Sequence, residues 1–261
     1  VHIPTFSPHD DPGPDFAALL RRQGLATDPP AGPVTTAGAV PHGTTVVAIR
    51  YADGVVMAGD RRATSGNFIS HRSIEKVFPA DRLSGVAIAG AAGPAMEMVK
   101  LFQLQLEHYE KVEGQALSLE GKANQLAQMV RSHLPAAMQG LAVVPLFAGY
   151  DTRRRVGRLF QYDVTGGRYE ENDYATSGSG GLHAATVVKL GFREGAGRDD
   201  TVDLAMRALV TAADEDAATG GPDPRRGIWP VMATIDAAGF NRLADGELAE
   251  RFAALSEEAD R

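Results

Sequence analysis

A threonine preceded by glycine stands at residue 44, in the run Pro41-His42-Gly43-Thr44-Thr45, where a proline-rich stretch gives way to a β-branched one. Cutting the chain after Gly43 would free the Thr44 α-amine, whose ordinary pKa of about 8 suits it to act as a base toward its own hydroxyl. One residue would then supply both nucleophile and base. Taken alone, the Thr-Thr pair equally opens an ordinary strand. Asp60 follows the apolar run 55–59, where an acid is commonly a turn former. Lys76 lies in Ile74-Glu75-Lys76-Val77-Phe78, one of only five lysines beside 21 arginines. A compact ammonium held charged by a carboxylate such as Asp60 would stabilise a neighbouring threonine alkoxide, whereas a snorkelling surface lysine is the plain alternative.

Three glycine-bearing or acidic segments could complete such a site. Ala89-Gly90-Ala91-Ala92-Gly93 closes a strand and opens a helix, a corner whose backbone N–H groups can receive a developing oxyanion. Ser177-Gly178-Ser179-Gly180-Gly181 has the look of a phosphate-cradling loop, but no Gly-Lys-Ser/Thr follows it, so nucleotide binding is weakly supported. Asp214-Glu215-Asp216 ends a helix just before Thr219-Gly220-Gly221-Pro222. Carboxylates there oppose the helix dipole, which asks for a compensating role such as a hydrogen bond to a buried amine or hydroxyl. His71, His108, His133 and His183 lack metal-ligand spacing, and no catalytic metal or other cofactor is expected. Arg153, Arg154, Arg155 and Arg158 are assigned together to a solvated hairpin turn.

The elements that must position these residues read as follows. Eight of the 15 prolines fall in residues 1–43, which therefore form an extended leader with one short helix at 15–23 and a Gly/Ala/Thr/Pro linker at 31–43. A hairpin begins at Thr44, turning at Asp53-Gly54 between apolar runs. Strands follow at 85–89, 142–149 and 156–164, with helices at 94–109 and 119–133 between the groups. A helix to about Leu190, another from Thr201, and strands at 227–235 and 240–243 complete the pattern. Helices grouped between strand groups predict an α+β fold of two antiparallel sheets packed on each other, with helices outside. The first long helix is apolar on more than one side, Leu101 and Leu104 widening the stripe set by Ala95, Val99, Phe102 and Leu106.

Composition narrows the function. With 33 acidic against 26 basic residues and a net charge of −7, the chain lacks the basic field that nucleic-acid or anionic-membrane binding requires. Zero cysteines exclude thiol catalysis, CxxC redox chemistry and Cys-ligated metals. The longest apolar run, 141–149, is broken by Pro145 and falls far short of the ~20 residues of a membrane span. The first residues carry no secretory signal pattern, so a cytoplasmic location is expected.

Together, Gly43-Thr44-Thr45, Asp60-Arg61-Arg62-Ala63-Thr64, Lys76, Ala89-Gly90, Gly178-Ser179-Gly180 and Asp216-x-x-Thr219-Gly220 resemble, in order and spacing, a proteasome β subunit, an N-terminal-nucleophile threonine protease. The resemblance covers about 44–243, and the Pro-rich leader and 217–223 look most like the actinobacterial branch. It implies a four-layer αββα sandwich, a propeptide at 1–43 removed by autolysis, and a catalytic domain at 44–261 ending in a flexible tail. Thr44 would attack peptide carbonyls, Lys76 and Asp60 would tune it, and the Gly90 N–H would hold the oxyanion. Ser179, Asp216 and Thr219 would support the Thr44 amine, Thr219 standing where the family more often has serine. By family position, Ala63, Ile74, Ile88, Ala92 and Met96, with Thr64, would bind substrate in an uncharged pocket that prefers apolar side chains. Also implied are stacked seven-membered rings with α subunits and other copies of the chain, a ring ATPase that unfolds substrates, and unfolded or tagged proteins as substrates.

Three other readings stay open on the sequence. The peptidase of a two-component bacterial ATP-dependent protease shares the Thr-Thr start, although the long leader and the Asp216-x-x-Thr219-Gly220 segment favour the proteasome. A catalytically silent ring subunit is the second, against which the joint presence of Thr44, Asp60 and Lys76 speaks. The third is an amidohydrolase with the same N-terminal chemistry.

Overall fold

The computed structural model describes residues 43–259. The expected leader helix and linker fall at 1–42, outside the described residues, except for Gly43 at the junction. From there the chain runs through β1 (Thr45–Tyr51), β2 (Gly54–Gly59), the hairpin β3 (Ala63–Ser65) and β4 (Phe68–His71), then β5 (Val77–Asp81) and β6 (Ser84–Gly90). Helices α1 (Ala92–Glu113), α2 (Leu119–Ser132) and the single turn α3 (Leu134–Ala137) precede β7 (Val143–Asp151), β8 (Val156–Tyr162), β9 (Arg168–Glu171) and β10 (Tyr174–Gly178). Helices α4 (Gly181–Gly191) and α5 (Arg198–Glu215), strands β11 (Val231–Asp236) and β12 (Gly239–Arg242), and helix α6 (Asp245–Ala259) follow.

Two five-stranded antiparallel sheets form, ordered β10-β1-β2-β11-β12 and β5-β6-β7-β8-β9. Their strands are apolar on both faces because both faces are covered. Val47, Ile49, Val56, Ala58 and Met232 turn outward under α4, α5 and α6, while their neighbours Val46, Ala48, Val55, Met57 and Ala233 meet Ala87, Ala89, Leu146, Ala148 and Leu159 of the second sheet. That sheet turns Val86, Ile88, Phe147 and Phe160 outward against Phe102 of α1 and Leu126 of α2. The two-residue period of the strands thus builds three apolar interfaces and four layers, αββα, as the sequence pattern implies. Pro145 is tolerated in the interior strand β7 because pairing with β8 starts only at Leu146, so its ring stands where that ladder has ended.

Register then gathers the chemistry at one end of the sandwich. Antiparallel pairing sets Val46 opposite Gly59 and Thr45 opposite Gly178, so the start of β1 lies beside the ends of β2 and β10. In the facing sheet the start of β5 meets the end of β6, the Ile88 N–H donating to the Lys76 carbonyl at 2.9 Å.

Two expectations need correction. Residues 245–259 are a helix, not a flexible tail: Leu248 is buried, Phe252 and Leu255 pack beside it at i+4 and i+7, and the Phe252 ring meets Trp229 at 5.8 Å. Arg158 is likewise no part of a solvated turn. It lies on β8, 5% exposed, held by Asp151, Glu120 and Glu170 at 2.6–3.1 Å, whereas Arg153, Arg154 and Arg155 are exposed. Among the described residues, no helix is long and apolar enough to cross a membrane.

Candidate active site

Thr44 immediately precedes β1 and is 4% exposed. Its Oγ1 donates to the Gly43 carbonyl at 2.7 Å. The same carbonyl accepts from Lys76 Nζ at 3.3 Å. Gly43 has no room for a side chain, since a Cβ there would stand 2.1 Å from Ala218 Cβ. The carbonyl of the bond that a cut after Gly43 would break is therefore held against both a hydroxyl and an amine.

Lys76 is 4% exposed and spends its other two donors on Asp60 Oδ1 and the Arg62 carbonyl, each at 2.6 Å. Burial pushes the Lys76 ammonium below its ordinary pKa and outweighs the opposing pull of Asp60, with Arg62 lowering it further. Asp60, fully buried, accepts four hydrogen bonds. Lys76 Nζ and the Thr45 N–H (2.8 Å) reach Oδ1, and the Arg62 and Gly220 N–H groups (2.9 Å each) reach Oδ2. A carboxylate so saturated is fixed in orientation, and it fixes the lysine in turn.

On the other side of Thr44, its N–H donates to Ser179 Oγ at 3.4 Å. Ser179 donates to Asp216 Oδ2 at 2.5 Å, and Thr219 Oγ1 donates to the same oxygen at 2.6 Å. Burial raises the Asp216 carboxyl, but the Ser179 and Thr219 hydroxyls and the Ala218 N–H together hold it below the usual carboxylate range. Gly178 adopts φ +97, and a Cβ there would lie 1.9 Å from the Thr44 carbonyl oxygen, so only glycine lets β10 pass this close.

A small cavity opens beside Thr44. Ala63, Thr64, Ile74, Ile88, Ala92 and Met96, the six residues expected to bind substrate, all line it, together with Gly43, Lys76 and Gly90. Gly90 ends β6 at φ +115, where a Cβ would meet the Ala142 carbonyl oxygen at 2.1 Å. Every candidate residue is thus gathered around Thr44 or its hydrogen-bond chain.

Sequence reasoning missed four participants. Ala95 lines the cavity, and its i+3 spacing from Ala92 on α1 was the available signal. Glu75 also lines it, contrary to the expectation of an uncharged pocket; its carboxylate is tied to Arg242 at 2.8 Å and to Arg61 at 3.5 Å. Arg62 holds Asp60 and Lys76 through its backbone N–H and carbonyl, contacts that leave no signal in the residue type. Thr45, read only as a strand residue, places its hydroxyl 2.6 Å from that of Thr219. Among the described residues no group of three His, Cys, Asp or Glu side chains is placed to hold a metal ion.

Chemically, the arrangement offers a hydroxyl nucleophile, a buried amine of lowered proton affinity, a positioned carbonyl and an apolar cavity beside them. A family model described as "Proteasome subunit" matches residues 40–222. A protein named "Proteasome subunit beta" from Acidimicrobium ferrooxidans is 63% identical over 248 residues, covering 95% of this chain and 91% of its own length. A protein of the same name from Streptomyces griseus subsp. griseus is 58% identical over 218 residues, covering 84% and 78%.

Proposed function

Since the chain belongs to the proteasome subunit family as a β-type member, we propose that it is a threonine endopeptidase whose nucleophile, Thr44, is freed by self-cleavage after Gly43. The observation that carries this reading is the meeting of the Thr44 hydroxyl and the Lys76 amine on the Gly43 carbonyl.

In the uncut chain, Thr44 Oγ adds to the Gly43 carbonyl carbon while Lys76 Nζ, facing that oxygen, stabilises the charge that develops there. The C–N bond breaks, a proton passes to the Thr44 nitrogen, and Gly43 is left as an ester on Oγ. Water opens the ester, giving a carboxylate on Gly43 and a free α-amine on Thr44. In the mature enzyme that amine, kept in place by Ser179 and Asp216, takes the proton of Oγ as it attacks a substrate carbonyl, and later returns it to the leaving amine. The third donor of Lys76 then faces Thr44. Gly90, at the mouth of the cavity, supplies its N–H to the substrate oxyanion, and the apolar cavity takes the side chain preceding the cut bond.

As a proteasome β-type subunit the chain assembles into rings with α subunits. Its outer layers suit stacking: Leu101, Leu104 and Val112 are exposed on α1, and Leu182 and Leu190 on α4 across the sandwich. A ring ATPase delivering unfolded or tagged proteins, and a cytoplasmic location, complete the proposal. A peptide epoxyketone, which needs both an N-terminal amine and its hydroxyl, tests it. One adduct on Thr44 per processed chain is expected; absence of labelling on processed particles would remove the reading.

A further inference from the structure

Thr45 lies outside the cavity and has no part in the steps above, yet its side chain is fully buried and ends a chain of short hydrogen bonds leading back to the Thr44 nitrogen. The links are Thr45 Oγ1 to Thr219 Oγ1 (2.6 Å), Thr219 Oγ1 to Asp216 Oδ2 (2.6 Å), Ser179 Oγ to the same Oδ2 (2.5 Å), and Thr44 N to Ser179 Oγ (3.4 Å).

The direction of each bond follows by counting protons. An ionised carboxylate only accepts, and a hydroxyl has a single proton to donate. Thr219 gives its proton to Asp216, so in the Thr45–Thr219 contact Thr45 must be the donor. Ser179 likewise gives its proton to Asp216, so its lone pair is left to accept from the Thr44 nitrogen. Every donor in the chain points toward Asp216, whose carboxylate, able only to accept, sets this sense, and Thr45 is the far end of it. The space is built for it: a Cβ at Gly180 would lie 2.4 Å from Thr45 Oγ1 and 2.7 Å from Thr219 Oγ1, so glycine at 180 leaves room for the hydroxyl pair.

We infer that Thr45 is a positioning residue for the threonine-protease reaction, holding the Thr219 hydroxyl on the same Asp216 oxygen that Ser179 uses and so setting how strongly that carboxylate acts, through Ser179, on the Thr44 amine that serves as base. This rests on the reading of Thr44 as N-terminal nucleophile. Donation from Thr45 polarises Thr219 and strengthens its bond to Asp216, which spreads the carboxylate charge. Without it, Asp216 bears more charge toward the amine, holds the ammonium form more firmly, and delays its conversion to a base as pH rises. The charged and titratable groups of the site, Asp60, Arg62, Lys76, His183 and Asp216, are all left in place by a change at Thr45.

The test compares processed, assembled particles of wild type, Thr45→Val, Thr45→Ser and Gly180→Ala, with intact mass verifying leader removal. Expected for Thr45→Val is a kcat lowered about two- to threefold at pH 7 with KM unchanged, and an acid limb of the pH–rate profile moved up by about half a unit. Thr45→Ser keeps wild-type rate and profile, because the donor is retained. Gly180→Ala behaves like Thr45→Val, because the methyl parts the two hydroxyls. If Thr45→Val fails to assemble, the Ser and Gly180→Ala variants decide alone. A Thr45→Val profile equal to wild type, or a Thr45→Ser variant as impaired as Val, would overturn the inference. A wild-type particle without threonine-dependent activity would instead overturn the reading beneath it.

Discussion

Replacing Asp60 by asparagine perturbs the site at its most saturated point. Asp60 is fully buried and holds four donors, two on each oxygen. The amide of Asn presents one oxygen and one NH₂, so in either orientation two donors face a donor. Either Lys76 and the Thr45 N–H or the Arg62 and Gly220 N–H groups lose their acceptor. Lys76, 4% exposed, also loses its counter-charge. Breaking a buried pair by removing one partner costs about 3–5 kcal/mol, and we expect about 4 kcal/mol here. Removing both charges, as Asp60→Asn with Lys76→Met, leaves no unpaired ammonium and recovers about half of that, so the two sites couple strongly in a double-mutant cycle. The loss also depends on pH with a definite sign. Burial already holds Lys76 below its ordinary pKa against the pull of Asp60, and removing Asp60 lowers it further. Between the Lys76 pKa in the folded variant and its ordinary value, the unfolded chain binds more protons than the folded one, so the stability of the variant rises with pH. Wild type begins that rise only at its own, higher folded value, so the deficit shrinks as pH increases between the two. Denaturant unfolding at pH 7 and pH 9, in a Thr44→Ala background that keeps every chain uncut, measures both effects. A loss below about 1 kcal/mol, or a double variant no better than the single, would refute the reasoning.

Two further outcomes follow from the same geometry. Gly43→Ala places a methyl 2.1 Å from Ala218 Cβ and draws the carbonyl away from Lys76 and Thr44, so self-cleavage followed by gel time course should slow at least about tenfold; cleavage at wild-type speed would show that the tight junction is not needed. Among fluorogenic peptides, those ending in Leu, Phe or Tyr should be cut roughly ten- to a hundredfold faster than those ending in Glu, given an apolar cavity with the Glu75 carboxylate on its wall. Fastest cutting after Glu or Arg would mean that this cavity does not receive that side chain.

Much of the fold was legible because burial on both faces writes an unmistakable apolar run, as in β1, β2 and β7, and because α1 and α2 are long enough to show their period. The strands β3, β4 and β9 are only three or four residues long, too short to carry such a run. Helix α6 hid because five acidic residues, Asp245, Glu247, Glu250, Glu257 and Glu258, dilute the Leu248-Phe252-Leu255 stripe. The strand expected at 227–235 begins only at Val231, after the turn at 223–228 and Pro230. Thr44 and Asp60 were legible as reactive types at strand ends and Lys76 as a lone lysine between apolar residues, and only register brings them together. What Thr45 and the Arg62 carbonyl contribute is invisible in sequence, since a second β-branched residue and a backbone oxygen look the same in any strand.

The account stands on Thr44 cutting the bond that precedes it, and the intact mass of the chain co-expressed with an α partner tests this most directly. Loss of residues 1–43 from wild type, with Thr44→Ala remaining full length, is the predicted result. Wild type and Thr44→Ala both remaining uncut within assembled rings, or both losing the same segment, would contradict it.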